Sequence, residues 1–157
     1  MKNALLTALA SCLCACGSTA TLAPKASDRQ AKSFAPPGGQ ATLYVFRETH
    51  LKNSLLDFYV SINGTPLGNI ENKTYFMLVL DPGENDLWFG WDPVATAGSM
   101  LPVRRVGIDA VAGQTYFVRV HRYDKVPELL EAAAGKKKLQ SCCVLANPSR
   151  GAETLVD

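Results

Sequence analysis

From Ala41 to Arg122 the chain is cut by turn signals into short apolar runs rich in β-branched and aromatic residues. Such runs are too short for helices with a hydrophobic face of their own, so this stretch reads as sheet. ATLYVFRE (41–48) is apolar on both faces, with Leu43 and Val45 alternating with Tyr44 and Phe46, which marks a central strand. DFYVSING (57–64) alternates Phe58, Val60 and Ile62 with Tyr59 and Ser61 and stops at Asn63-Gly64. That dipeptide suits a type I′ hairpin turn, whose two central residues need positive φ. PLGNI (66–70) is the expected return strand, and TYFMLVL (74–80) runs into a turn at Asp81-Pro82-Gly83. NDLWFGW (85–91), VRRVGID (103–109) and TYFVRVHR (115–122) complete the series, the last two separated by Ala112-Gly113.

This pattern predicts an all-β fold, a single antiparallel β-sandwich of about 7–9 strands, although spacing alone does not separate a sandwich from a barrel. Beyond residue 126 the character changes. PELLEAAAGKKKLQ (127–140) contains helix formers interrupted by Gly135, so either a short helix or a strand through Leu129 and Leu130 followed by a helical turn fits. CCVLA (142–146) reads as a last strand, and residues 147–157 as a loose tail.

The amino terminus has a different purpose. Lys2 is followed by ALLTALASCLCA, a charged residue and then an apolar run too short to span a membrane, as in a secretory signal. Leu13-Cys14-Ala15-Cys16 resembles the lipobox of bacterial lipoproteins, with Cys14 where a serine, threonine or alanine is commoner. The resemblance implies cleavage between Ala15 and Cys16 and a diacylglycerol thioether on Cys16. Several acyl chains on one residue give the stable anchoring that a single chain does not. Gly17 and Ser18, in place of the aspartate that retains enterobacterial lipoproteins at the inner membrane, point to the outer membrane and its periplasmic face. Residues 1–15 are thus expected to be a signal peptide. Residues 16–40, small, polar and rich in proline and glycine, are expected to form the lipidated cysteine and a flexible tether, and residues 41–146 the β-domain.

LYVFRE, YVSINGTPLGNI, YFMLVLDPGEN and AGQTYFVRVHR, in that order, resemble the bacterial lipoprotein family catalogued as domain of unknown function 2846. The likeness spans about residues 41–145. It implies a small transthyretin-like or PEGA-like β-sandwich and carries over no catalytic residue, because its motifs are strands and turns.

Charge and composition exclude little else. A formal net charge of +2 is low for a nucleic-acid binder, and 47% hydrophobic residues argue against disorder. His50 and His121 are far apart in sequence; a zinc site would need both to converge with a carboxylate such as Glu48, and no ligand spacing suggests it. No metal and no cofactor is expected beyond the lipid on Cys16. GxSxG and SxxK are absent from the sequence, and catalytic residues are not expected. A glycosidase-like pair drawn from Glu48, Glu71, Glu84 and Asp109 would need a shared cleft.

After processing, Cys142 and Cys143 are the remaining thiols. On a strand their side chains would point to opposite faces, one buried and one near the surface, which disfavours a vicinal disulfide. Trp88 and Trp91 flank Phe89, and alternation puts them on opposite faces of a strand. One is expected in the core, and the other is the best binding candidate. Lys136, Lys137 and Lys138 suit a solvated face or contact with anionic lipid.

Together these features predict a periplasmic lipoprotein that acts as a binding or scaffold module of the cell envelope, with a protein or glycan partner and no nucleic acid. A carbohydrate or peptidoglycan binder using an exposed tryptophan is one alternative. An envelope hydrolase with a carboxylate pair is another.

Overall fold

Asn63 and Gly64 both take positive φ, 49° and 81°, and join two strands through a two-residue turn, as the Asn-Gly signal requires. The computed structural model describes residues 21–49, 58–90, 104–121 and 126–148. In chain order these form α1 (Lys25–Ala31), β1 (Ala41–Arg47), β2 (Phe58–Ile62), β3 (Thr65–Ile70), β4 (Thr74–Leu80) and β5 (Gly83–Gly90). There follow β6 (Arg104–Ala110), β7 (Thr115–Val120), β8 (Glu128–Leu130), α2 (Ala132–Cys142) and β9 (Val144–Leu145).

The strands make two sheets, one of five in the order β8-β7-β1-β4-β9 and one of four in the order β3-β2-β5-β6. The fold is therefore mostly β and agrees with the expected sandwich. Two pairings depart from an all-antiparallel sheet. β1 runs parallel to β7, and β4 parallel to β9. A parallel neighbour needs a long crossover, and the four-stranded sheet lies between β1 and β7 in sequence and supplies one.

β1 is the central strand its two apolar faces predicted, and all seven of its residues are buried. Leu43 and Val45 join Val60, Ile62, Leu87, Phe89 and Val118 in the core between the sheets. Tyr44 and Phe46 point the other way, into a second core with Ala31, Tyr75, Phe117, Leu139 and Cys143. The helices close that second core, so the molecule has three layers: helices, five-stranded sheet, four-stranded sheet.

Three expectations change here. The described part of the stretch read as a tether is docked on the domain: Ala31 is buried, Tyr44 Oη donates to the Ala31 carbonyl at 2.6 Å, and Leu22 bridges Ala146. α1 escapes sequence detection because its seven residues, KASDRQA, bury only Ala31 and carry no hydrophobic period. Tertiary contact, not propensity, holds so short a helix. Residues 127–140 resolve into β8 followed by a true helix, α2, whose first turn is capped by the Glu131 carboxylate accepting from Ala134 N–H at 3.1 Å.

Gly135 does not interrupt α2; it lets the helix approach the sheet. A Cβ there would fall 2.8 Å from Phe117 Cδ2 and closer still to Cβ and Cγ. Finally, CCVLA is not one strand. Cys142 ends α2, Cys143 is extended (φ −133°, ψ 154°), and β9 begins at Val144.

Candidate functional site

The two outer faces of the sandwich carry the side chains with chemistry. The five-stranded sheet is covered. Phe34 sits at 5.2 Å from Tyr44 and 5.7 Å from Phe117, and Tyr44 stacks on Phe117 at 5.2 Å. Phe34 takes a positive φ of 55°, an uncommon backbone state for a bulky residue, and its ring is wedged between helices and sheet. Burial pushes the Tyr44 hydroxyl up to about 12.

Asp28 ties α1 to both β4 and β9. Its Oδ1 accepts from Tyr75 Oη and from Leu145 N–H, each at 2.9 Å, and its Oδ2 pairs with Lys32 Nζ at 2.9 Å. Partial burial alone would raise the Asp28 carboxyl, but these hydrogen bonds and the Lys32 charge outweigh it and hold it below its usual value. Tyr75 shifts the opposite way, pushed up by burial and by the facing Asp28.

Beside α2 the same face carries a charged cluster centred on Arg119. Its guanidinium donates to Glu48 Oε2 at 3.2 Å and to Glu128 Oε2 at 2.5 Å, His121 Nε2 lies 3.0 Å from Glu128 Oε2, and Lys138 Nζ lies 3.7 Å from Glu48 Oε1. Partial desolvation pulls Arg119 down, but the two carboxylates prevail and raise it; Arg119 and His121 in turn lower Glu128. Glu48 and His121 belong to the same cluster, and the Arg119 guanidinium sits between Glu48 and Glu128. Among the described residues no group of three His, Cys, Asp or Glu side chains is arranged to hold a metal. A general acid needs a raised carboxyl, and Glu128 is shifted the wrong way. The lysine run is partly committed as well, with Lys136 Nζ 4.8 Å over the Phe34 ring and Lys138 at Glu48.

The outer face of the four-stranded sheet carries exposed and half-buried side chains around a buried Ser61. Alternation turns Tyr59 and Ser61 of β2, Glu84, Asp86, Trp88 and Gly90 of β5, and Arg105, Gly107 and Asp109 of β6 outward, since Val60, Leu87, Phe89 and Ile108 point into the core. Register places Ser61, Trp88 and Arg105 in one row across three strands and Tyr59 beside Gly90 in the next. Trp88 is half-buried over this row, and Arg105 Cζ stands 5.7 Å from its ring centroid. Arg105 makes a two-pronged pair with Asp86, through Nε to Oδ1 at 2.8 Å and through Nη2 to Oδ2. Hydrogen bonding to Asp86 raises Arg105, whose side chain remains 59% exposed.

Of the tryptophan pair, Trp88 is thus on the outer face while Phe89 fills the core; Trp91 lies outside the described residues, as do Ala15, Cys16 and His50. Glu84 and Asp109 face each other across β5 and β6, both exposed on the sheet. Arg105 and Asp86 were missed as site residues from sequence. Alternation along β5 and β6 puts each on the Trp88 face, but only the β5–β6 register shows that they meet.

Cys142 and Cys143 form a disulfide with each other, against the expectation of separated thiols. That expectation assumed one continuous strand. Because the backbone changes from helical to extended between the two residues, their side chains fall on the same side.

The family described as "Protein of unknown function (DUF2846)" matches residues 37–133. No curated protein and no solved structure matches the chain.

Proposed function

The chain belongs to the DUF2846 family, and from that premise we propose that it is a binding module of the bacterial cell envelope, anchored by a lipid on Cys16 to the periplasmic side of the outer membrane. The contact surface in this reading is the outer face of the four-stranded sheet, and the ligand is a glycan of peptidoglycan type. The observation that carries it is the row of Ser61, Trp88 and Arg105 with Asp86 beside it. An indole offers an apolar plane for the C–H face of a pyranose ring. The remaining N–H groups of the Arg105 guanidinium and the remaining lone pairs of the Asp86 carboxylate, which hold each other in place, offer donors and acceptors for its hydroxyls. Among the described residues the opposite sheet offers no equivalent surface, because helices and aromatic rings cover it.

The test combines anchor and ligand. Cys16→Ala is expected to abolish palmitate labelling and move the protein from the membrane to the soluble envelope fraction. In co-sedimentation with purified peptidoglycan sacculi, the wild-type domain is expected in the pellet and Trp88→Ala in the supernatant. Persistent labelling would refute the anchor, and equal pelleting of the two proteins would refute the glycan site.

A further inference from the structure

The Cys142–Cys143 disulfide has no evident structural task. A crosslink stabilises a fold by closing a loop in the unfolded chain, and the gain grows with loop length. Here the separation is one residue, the minimum. The attachments around the pair do not depend on it: Lys32 Nζ donates to the Cys143 carbonyl at 2.7 Å, Cys143 N–H to Leu139 O at 3.3 Å, and Val144 N–H to Lys73 O at 2.9 Å.

The two sulfurs also differ in access. Cys143 is 4% exposed and sits in the core formed with Tyr44, Tyr75, Phe117 and Leu139, whereas Cys142 is half-buried at the end of α2. Cys143 Sγ lies 3.5 Å from the Arg47 carbonyl. As half of a disulfide that sulfur has no hydrogen to donate, but once reduced its thiol meets an acceptor already in place. The oxidised and reduced forms are therefore both accommodated by the same surroundings.

We propose that Cys142–Cys143 is a two-electron thiol–disulfide exchange site whose partner is a protein dithiol of Cys-x-x-Cys type. The partner's thiolate attacks Cys142 Sγ, the accessible sulfur; the Cys142–Cys143 bond breaks and Cys143 leaves as thiolate, taking up a proton. The partner's second thiolate then attacks its own sulfur in the mixed disulfide and releases Cys142, which is protonated in turn. The partner is oxidised to its disulfide, and the pair is reduced to two thiols.

The tryptic peptide 139–150 of the full chain carries both cysteines. From protein purified in air and alkylated while denatured, it is expected two hydrogens lighter than the dithiol form and unalkylated; after dithiothreitol it takes two alkyl groups. A thioredoxin-type protein with its second cysteine replaced by serine is expected to be trapped on Cys142, as fragmentation between residues 142 and 143 would show. Reduction is expected to lower the thermal midpoint by less than about 5 °C. A reduced peptide in air, a trap that forms on Cys143 or not at all, or a larger fall in the midpoint would each overturn the proposal, the last by marking the bond as a structural staple.

Discussion

The two outer faces of this sandwich begin from the same alternating pattern and end differently. On the five-stranded sheet the outward positions of β1, β4 and β7 include Tyr44, Phe46, Tyr75 and Phe117, and helices seal them. On the four-stranded sheet the outward positions include Tyr59, Asp86, Trp88 and Arg105, and polar groups and solvent meet there. An apolar outer face requires a third layer, so the segments on either side of the strands fold onto it. A mostly polar face whose two aromatic residues, Tyr59 and Trp88, are half-buried needs no helical layer, which leaves it available to a ligand.

The sharpest way to break the contrast is to push the helical layer off. Gly135→Val introduces a Cβ into Phe117, and overpacking of this kind costs about 1–3 kcal/mol or more. Urea unfolding is expected to show that loss, and the double variant with Phe117→Gly, which removes the Cβ that the new side chain meets, to show less than the sum of the two changes. An additive result would mean that α2 does not rest on Phe117.

A smaller effect follows from Asp28, which joins α1 to β4 and β9. Its carboxyl is held below its unfolded value, so its contribution is present above the usual carboxylate range and disappears as pH falls through that range and below. Asp28→Asn is expected to lower stability at neutral pH by about 1–3 kcal/mol and to flatten the acid limb of the stability profile. An unchanged limb would mean that other carboxylates govern it.

The smallest stability effect is expected on the open face. Trp88→Ala removes a half-buried ring and its contact with Arg105. Arg105→Ala removes an exposed ion pair, which solvent screens. Thermal melts of Arg105→Ala are expected to overlay the wild type closely, although binding to sacculi falls. A large loss of stability from Arg105→Ala would mean that this face is structural too.

The same contrast explains what was legible in the sequence. Alternation announced the strands, the Asn63-Gly64 turn and the central, fully buried β1, because those signals are local. Sheet order and the parallel partners of β1 and β4 arise from contacts between distant segments, which no short window contains. α1 was invisible because it borrows its stability from Tyr44 and Tyr75. Gly135, which looks like a helix breaker in isolation, is the residue that lets α2 reach Phe117. The cysteine pair was misjudged for a related reason: whether their side chains diverge or meet depends on where α2 ends, and that is set by its packing on the sheet. Trp88 stood out in the sequence, while its partners Arg105 and Asp86 became visible only through the register of β5 and β6.

The most direct measurement is a nuclear magnetic resonance titration of the isotope-labelled protein with soluble muropeptides released from peptidoglycan. The shifts are expected to concentrate at Tyr59, Ser61, Asp86, Trp88 and Arg105, with the amides of α1 and α2 unmoved. Shifts centred on the helical layer, or none at saturating muropeptide, would contradict the assignment of the open face as the binding surface.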